Sequence, residues 1–104
     1  MSKNDYLQSG LKYFSTGDFP QAIKAFQKAL EIDPKFDLTL NALAQVYNKM
    51  GNIDKAIEFA KQLIDVDPDD AIAHTALSRF YVQKGMIKEA EEELVISNRL
   101  ASGL

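Results

Sequence analysis

Catalysis or metal binding in this chain would have to begin from one histidine, His74, since the sequence contains no cysteine. An imidazole serves as base or ligand when carboxylates, thiolates or other imidazoles converge on it. No such cluster shares the helical face of His74. The expected role is a ring packed between helices, with its polar nitrogen reaching the surface. The acidic residues Glu89, Glu91, Glu92 and Glu93 lie close together, but they lack the alternating oxygen ligands and central glycine of a calcium loop. A mostly solvated helix face is expected there. Neither a glycine-rich phosphate loop nor a nucleophile elbow is present. The sequence therefore predicts no enzyme, no cofactor and no metal site. The polar groups of most interest are amides. Asn41, Gln45 and Asn48 are spaced i, i+4, i+7 and share one helical face. An amide carries donor and acceptor together, which suits pairing with the backbone of a bound peptide.

The elements that position these residues follow a fixed step. Tyr13, Tyr47 and Tyr81 fall 34 residues apart, as do Gly17, Gly51 and Gly85, and Ala22, Ala56 and Ala90. Phe19, Ile53 and Ile87 keep the step, and so do Pro34 and Pro68. A period in this range means one supersecondary unit stacked on copies of itself. Three units follow, at 3–36, 37–70 and 71–104, forming a single domain over 1–104. Within each unit two helical patterns flank a glycine. Ile53, Ala56, Ile57, Ala60, Leu63 and Ile64 make one apolar helical stripe, and Leu40, Leu43, Ala44 and Tyr47 make another. No useful stretch alternates with period two, so no strand is expected. The expected helices are 4–16, 19–32, 37–50, 53–66, 71–84 and 87–100.

The punctuation agrees with the stripes. The three glycines can take the left-handed conformation that ends a helix. Asp18 and Asn52 follow directly and can cap the next helix, and Pro20 suits its first turn. Asp33-Pro34 and Asp67-Pro68 close their units. Gly10, Ala44 and Ser78 are small at one place in each first helix, facing Ala22, Ala56 and Ala90 of the second.

On these residues the chain resembles three tandem tetratricopeptide repeats (TPRs). The first repeat matches the family pattern with Tyr6, Gly10, Tyr13, Gly17, Ala22, Phe26, Ala29 and Pro34. The second matches with Leu40, Leu43, Ala44, Tyr47, Gly51, Ala56 and Pro68, and the third with Leu77, Tyr81, Gly85, Ala90 and Leu94. The third departs at His74, Ser97 and Ser102. The resemblance implies an all-α fold, a right-handed superhelical α-solenoid of three antiparallel helix-turn-helix units. It also implies a concave groove lined by the first helix of each unit. The groove positions are Asn4, Leu7, Leu11 and Phe14; Leu38, Asn41, Gln45 and Asn48; and Ile72, Thr75, Arg79 and Val82. The carboxylate clamp by which some family members grip heat-shock protein C-termini falls here on Leu7, Leu11, Ala42, Ile72 and Ala76. None of these can hold a carboxylate, so that partner class is not expected.

The expected function is a protein-interaction adaptor taking a peptide or partner segment in this groove. Secretion chaperones with three such repeats are one form of it. The alternative is a structural module that assembles with itself through its terminal helices. Glu91, Ser97 and Asn98 replace the apolar residues of the earlier repeats and blunt the face where a fourth repeat would dock. The three units fill the chain and leave no room for an extra capping helix. Val95 and Ile96 are apolar where the earlier repeats are polar. With Leu94 and Leu100 they form a self-contact patch that predicts a weak homodimer. Bulk properties agree with an interaction domain. The 104 residues carry a net charge of −3, and a pI of about 5.0 argues against nucleic acid. No apolar run spans a membrane, no signal peptide is apparent, and a cytoplasmic location is expected.

Overall fold

The computed structural model describes residues 1–103, which form six helices and, among the described residues, no strand. The helices are α1 Lys3–Ser15, α2 Phe19–Ile32, α3 Asp37–Lys49, α4 Ile53–Val66, α5 Ala71–Gln83 and α6 Ile87–Ser102. They pack as three antiparallel pairs, α1 with α2, α3 with α4, and α5 with α6, stacked in line. The stack is elongated, measuring 40 × 27 × 19 Å. No helix among the described residues is long and apolar enough to cross a membrane.

Local chemistry sets the helix ends. At α1 the Ser2 hydroxyl accepts from the Asp5 N–H while the Asp5 carboxylate accepts from the Ser2 N–H, a reciprocal capping box. Asp18 and Asn52 accept from the N–H groups of Gln21 and Lys55 and cap α2 and α4. The chain reverses between paired helices through Gly17, Gly51 and Gly85, at φ +83°, +81° and +82°. A side chain there would be strained. α6 runs two residues beyond its expected end. Pro34 and Pro68 stop α2 and α4, but Ser102 stands at the third proline position, and the helix continues until Gly103 turns left-handed.

Packing within a pair depends on small residues facing each other. A Cβ on Gly10 would overlap the ring of Phe26, which is fully buried. The second and third pairs carry Ala60 and Leu94 where the first has Phe26, and they carry Ala44 and Ser78 where it has Gly10. The cleft is thus filled from one helix or the other. In the third pair the Ser78 hydroxyl donates to the Ala90 carbonyl at 2.8 Å, holding α5 close to α6.

Between pairs the core is continuous. Leu7, Ala22, Phe26, Leu43 and Val46 form one buried cluster across α1, α2 and α3. Ala56, Ile57, Ala60, Leu77, Phe80 and Tyr81 form another across α4 and α5. Removing one large buried side chain such as Phe26 or Phe80 from water contributes roughly 2–3 kcal/mol. Within the second pair Tyr47 of α3 stacks on Phe59 of α4 with centroids 5.7 Å apart. Tyr13, in the same register as Tyr47, is 42% exposed. The repeat gives this tyrosine position a packing role, which Tyr13 does not fill: among the described residues no pair lies on that side of α1, and Ala25 stands where the second pair has Phe59.

Candidate functional site: a concave groove on the first helices

α1 and α3 lie side by side on one surface of the stack, and the hollow between them has a volume of about 540 Å³. Its walls are Leu11 and Phe14 from α1 and Leu38, Asn41 and Gln45 from α3, with Gln8 and Lys49 at the margins. Leu7 and Ala42 form the floor. Leu7 is expected from the sequence as a contact residue, but it is only 5% exposed and sits in the core cluster with Phe26 and Val46. It shares a helical face with Leu11 one turn on, and the side chains of Phe26, Leu43 and Val46 cover it. Leu11 and Leu38 remain exposed, while Phe14 is half-buried against Phe19 at a centroid distance of 5.8 Å.

A second, smaller hollow of about 160 Å³ continues from Leu38 and Asn41 to Ile72 on α5, bordered by Asp37, Asp70 and Ala73. Ile72 is 78% exposed. Leu11, Leu38 and Ile72 therefore mark an apolar track across the three first helices. Arg79 and Val82 are exposed farther along α5 and line neither hollow. Asn48 is half-buried and also lies outside both, so the amide row contributes Asn41 and Gln45 to the groove.

Thr75 needs a correction as a groove reader. Its hydroxyl donates to the Ala71 carbonyl at 3.0 Å and meets the Ser97 hydroxyl on α6. Ser97 is buried and its hydroxyl also lies 3.0 Å from that carbonyl; with Thr75 donating to the carbonyl, the Ser97 hydroxyl donates to the Thr75 oxygen. These two hydroxyls join α5 to α6, so Thr75 does not present its hydroxyl to the groove. Ser97 does not blunt the outer face of α6 either, because its side chain points at α5.

His74 also differs from its expected role. The ring is buried, but neither nitrogen reaches the surface. Nδ1 lies 2.6 Å from Oε2 of Glu93 on α6, and Nε2 lies 2.8 Å from the Pro68 carbonyl oxygen. Both partners are acceptors, so only the imidazolium, with two N–H groups, satisfies both. Burial of the ring pulls its pKa down. The hydrogen bonds to Glu93 and Pro68 and the charges of Glu93 and Asp70 push it up and prevail, leaving it above the ordinary histidine value. Glu93 is thus a structural partner, while Glu91 and Glu92 are solvated as expected. Among the described residues no group of three or more His, Cys, Asp or Glu could hold a metal ion.

The self-contact residues separate into two sets. Leu94 and Val95 are 45% and 55% exposed on the outer side of α6. Ile96 and Leu100 are half-buried. One set of residues goes unseen in the sequence patterns above, on the opposite end of the stack. Thr39, Ala42, Leu43 and Val46 are buried between α3 and the first pair, and Ala73, Ala76, Leu77 and Phe80 are buried between α5 and the second. The same positions in α1 read Asp5, Gln8, Ser9 and Lys12. The 34-residue step carries the signal for this polar end face when it is applied to the first helix as well as to the last.

Comparison with known proteins supports the architecture. Among solved structures, MamA superimposes with a TM-score of 0.95 at 26% identity, covering 98% of this chain and 60% of the MamA chain. The present chain thus spans little more than half the length of that relative. The second TPR of Spaghetti (RPAP3), solved bound to the HSP90 peptide SRMEEVD, gives a TM-score of 0.87 at 19% identity, covering 96% of this chain and 93% of that one. SycD, the type III secretion translocator chaperone of Yersinia enterocolitica, gives 0.89 at 21% identity, covering 96% and 76%. The likeness to these last two is one of fold. No curated protein sequence matches the chain. A family model for the tetratricopeptide repeat matches residues 13–78, and with the six stacked helices it shows that the chain belongs to the tetratricopeptide repeat family.

Proposed function

We propose that this protein is an interaction module that takes a partner segment in its concave groove, centred between α1 and α3. The observation that carries the reading is the hollow of about 540 Å³ walled by exposed Leu11 and Leu38 and edged by Asn41, Gln45 and Gln8. Apolar walls with a few convergent polar groups are the usual makeup of a recognition site. Leu11 and Leu38 receive one or two apolar side chains of the segment, and the amides of Asn41 and Gln45 pair with its backbone or polar side chains. The smaller hollow at Ile72 extends the contact to the third repeat.

The partner is a segment recognised along its length rather than by its terminus. One related fold binds the peptide SRMEEVD. Here the clamp positions are Leu7, Leu11, Ala42, Ile72 and Ala76, and three of them, Leu7, Ala42 and Ala76, are buried. A carboxylate set among them would be unpaired, at a cost of several kcal/mol. A short groove of this kind supports affinity near micromolar, about −8 kcal/mol. The test is selection of binding peptides from a displayed library, followed by calorimetry on Leu11→Glu with Leu38→Glu. The expected result is loss of binding with the fold intact. Unchanged binding by the double variant would refute the groove reading.

A further inference from the structure

The two ends of the stack carry complementary residues in a register fixed by the interfaces inside it. At the internal junction α4 and α5 run antiparallel. Asp54 at the start of α4 pairs with Lys84 at the end of α5. At the same junction Ile57, Ala60, Leu77 and Phe80 are buried together in one cluster. The α2–α3 junction repeats the pattern, with Phe26, Leu43 and Val46 buried together and Ile23 packed against them. Apply the same register to α6 of one molecule and α1 of another. The positions equivalent to that buried cluster are then Glu91 and Leu94 on α6 and Ser9 and Lys12 on α1, with Val95 and Asn98 beside the first two and Asp5 and Gln8 beside the others.

The outer pairs match in charge or hydrogen-bonding sense. Ile23 and Ile57 on one side of the internal junctions, and Val46 and Phe80 on the other, give way at the ends of the stack to opposite charges, Glu91 and Lys12. The Asn98 amide can donate to the Asp5 carboxylate, whose pKa its bonds to Ser2 already lower. Around them Leu94, Val95 and Ile87 are exposed on the α6 end. The opposite end is a notch lined by Tyr6, Ser9, Tyr13, Lys24 and Lys28. The apolar end has aromatic rings to meet, and the acidic side chain has lysines.

We infer that the second occupant of these end faces is another copy of this chain, stacked head to tail, with Glu91 of one molecule on Lys12 of the next. This differs from a symmetric pairing of two α6 helices, in which Lys12 has no part. A head-to-tail contact does not close on itself, so it produces open chains of molecules rather than a fixed dimer. The exposed charges make the contact weaker at high salt. The inference is independent of the groove, which lies on a different surface.

The test is sedimentation equilibrium of the whole chain across a wide concentration series, with Glu91→Lys, Lys12→Glu and the two combined. Both positions are exposed, and circular dichroism checks that each variant folds. The parent is expected to pass dimer mass without a plateau. Each single variant sets like charges against each other at every contact and is expected to remain monomeric. The double variant, with the charges exchanged, is expected to regain self-association. So is an equimolar mixture of the two single variants, because every contact between unlike molecules then joins a lysine to a glutamate and the chain grows by alternation. A parent that stays monomeric throughout would overturn the inference. So would a Lys12→Glu variant that associates as the parent does, which would favour the symmetric α6 contact.

Discussion

The buried pair His74–Glu93 makes stability depend on pH in a direction that can be stated in advance. The two side chains are 7% and 20% exposed, and the ring faces acceptors on both sides. The folded state holds the proton more tightly than the unfolded chain, whose histidine titrates near about 6.5. The contribution of the pair is therefore fully present below that value. It is lost as pH rises through the higher folded pKa. Above that pKa one nitrogen of the neutral ring points a lone pair at an oxygen. Glu93→Gln keeps the shape but removes the charge. A hydrogen bond between charged partners is worth about 1.5–3 kcal/mol, against about 1 kcal/mol for a neutral one. The variant should lose roughly the difference at pH near 6 and much less at alkaline pH. Urea denaturation of both proteins between about pH 6 and about pH 9 measures this. The window lies above the carboxylate range, so Asp5 and Asp33, whose pKa values are lowered, contribute nothing to the slope. Parent stability should fall with rising pH while the variant's profile is nearly flat. Parallel profiles would refute the claim that the imidazolium bridges Glu93 and Pro68.

Two further substitutions test the packing. Gly10→Ala drives a methyl into the Phe26 ring and should cost about 1–3 kcal/mol by denaturant titration, although the equivalent position in the second repeat is Ala44. A cost near zero would show that the first pair has slack that the structure does not. Thr39 is fully buried and its hydroxyl has no hydrogen-bond partner. Thr39→Val should raise stability by about 1 kcal/mol, because an unsatisfied buried hydroxyl is replaced by a methyl. A loss would mean that the hydroxyl has a partner, such as water.

The 34-residue step makes the helices legible because each boundary rests on a residue with its own physical signal. Gly17, Gly51, Asp18, Asn52, Pro34 and Pro68 all act locally. The end of α6 differs from expectation where that signal is missing, at Ser102. The hollow between α1 and α3 is legible in part: spacing puts Asn41 and Gln45 on one helical face, while Leu11 and Leu38 come from the family resemblance. Depth is not legible. Leu7 and Leu11 are both apolar and one turn apart, and only the position of Phe26 and Val46 decides that one is floor and the other wall. Partners across helices are equally hidden. The bonds of His74 to Glu93 and of Thr75 to Ser97 join residues 19 and 22 apart, and no periodicity within one helix reports them. The exposure of Tyr13 is partly legible, because the 34-residue step puts Ala25 where Tyr47 has Phe59.

Amide NMR of the labelled chain during titration with a library-selected peptide tests whether the segment enters the groove. The largest shifts should fall on Gln8, Leu11, Asn41, Gln45 and Ile72, with the outward-facing residues of α2 and α4, such as Lys24 and Glu58, unmoved. Shifts concentrated on that convex side, or on α6 around Leu94 and Val95, would contradict it.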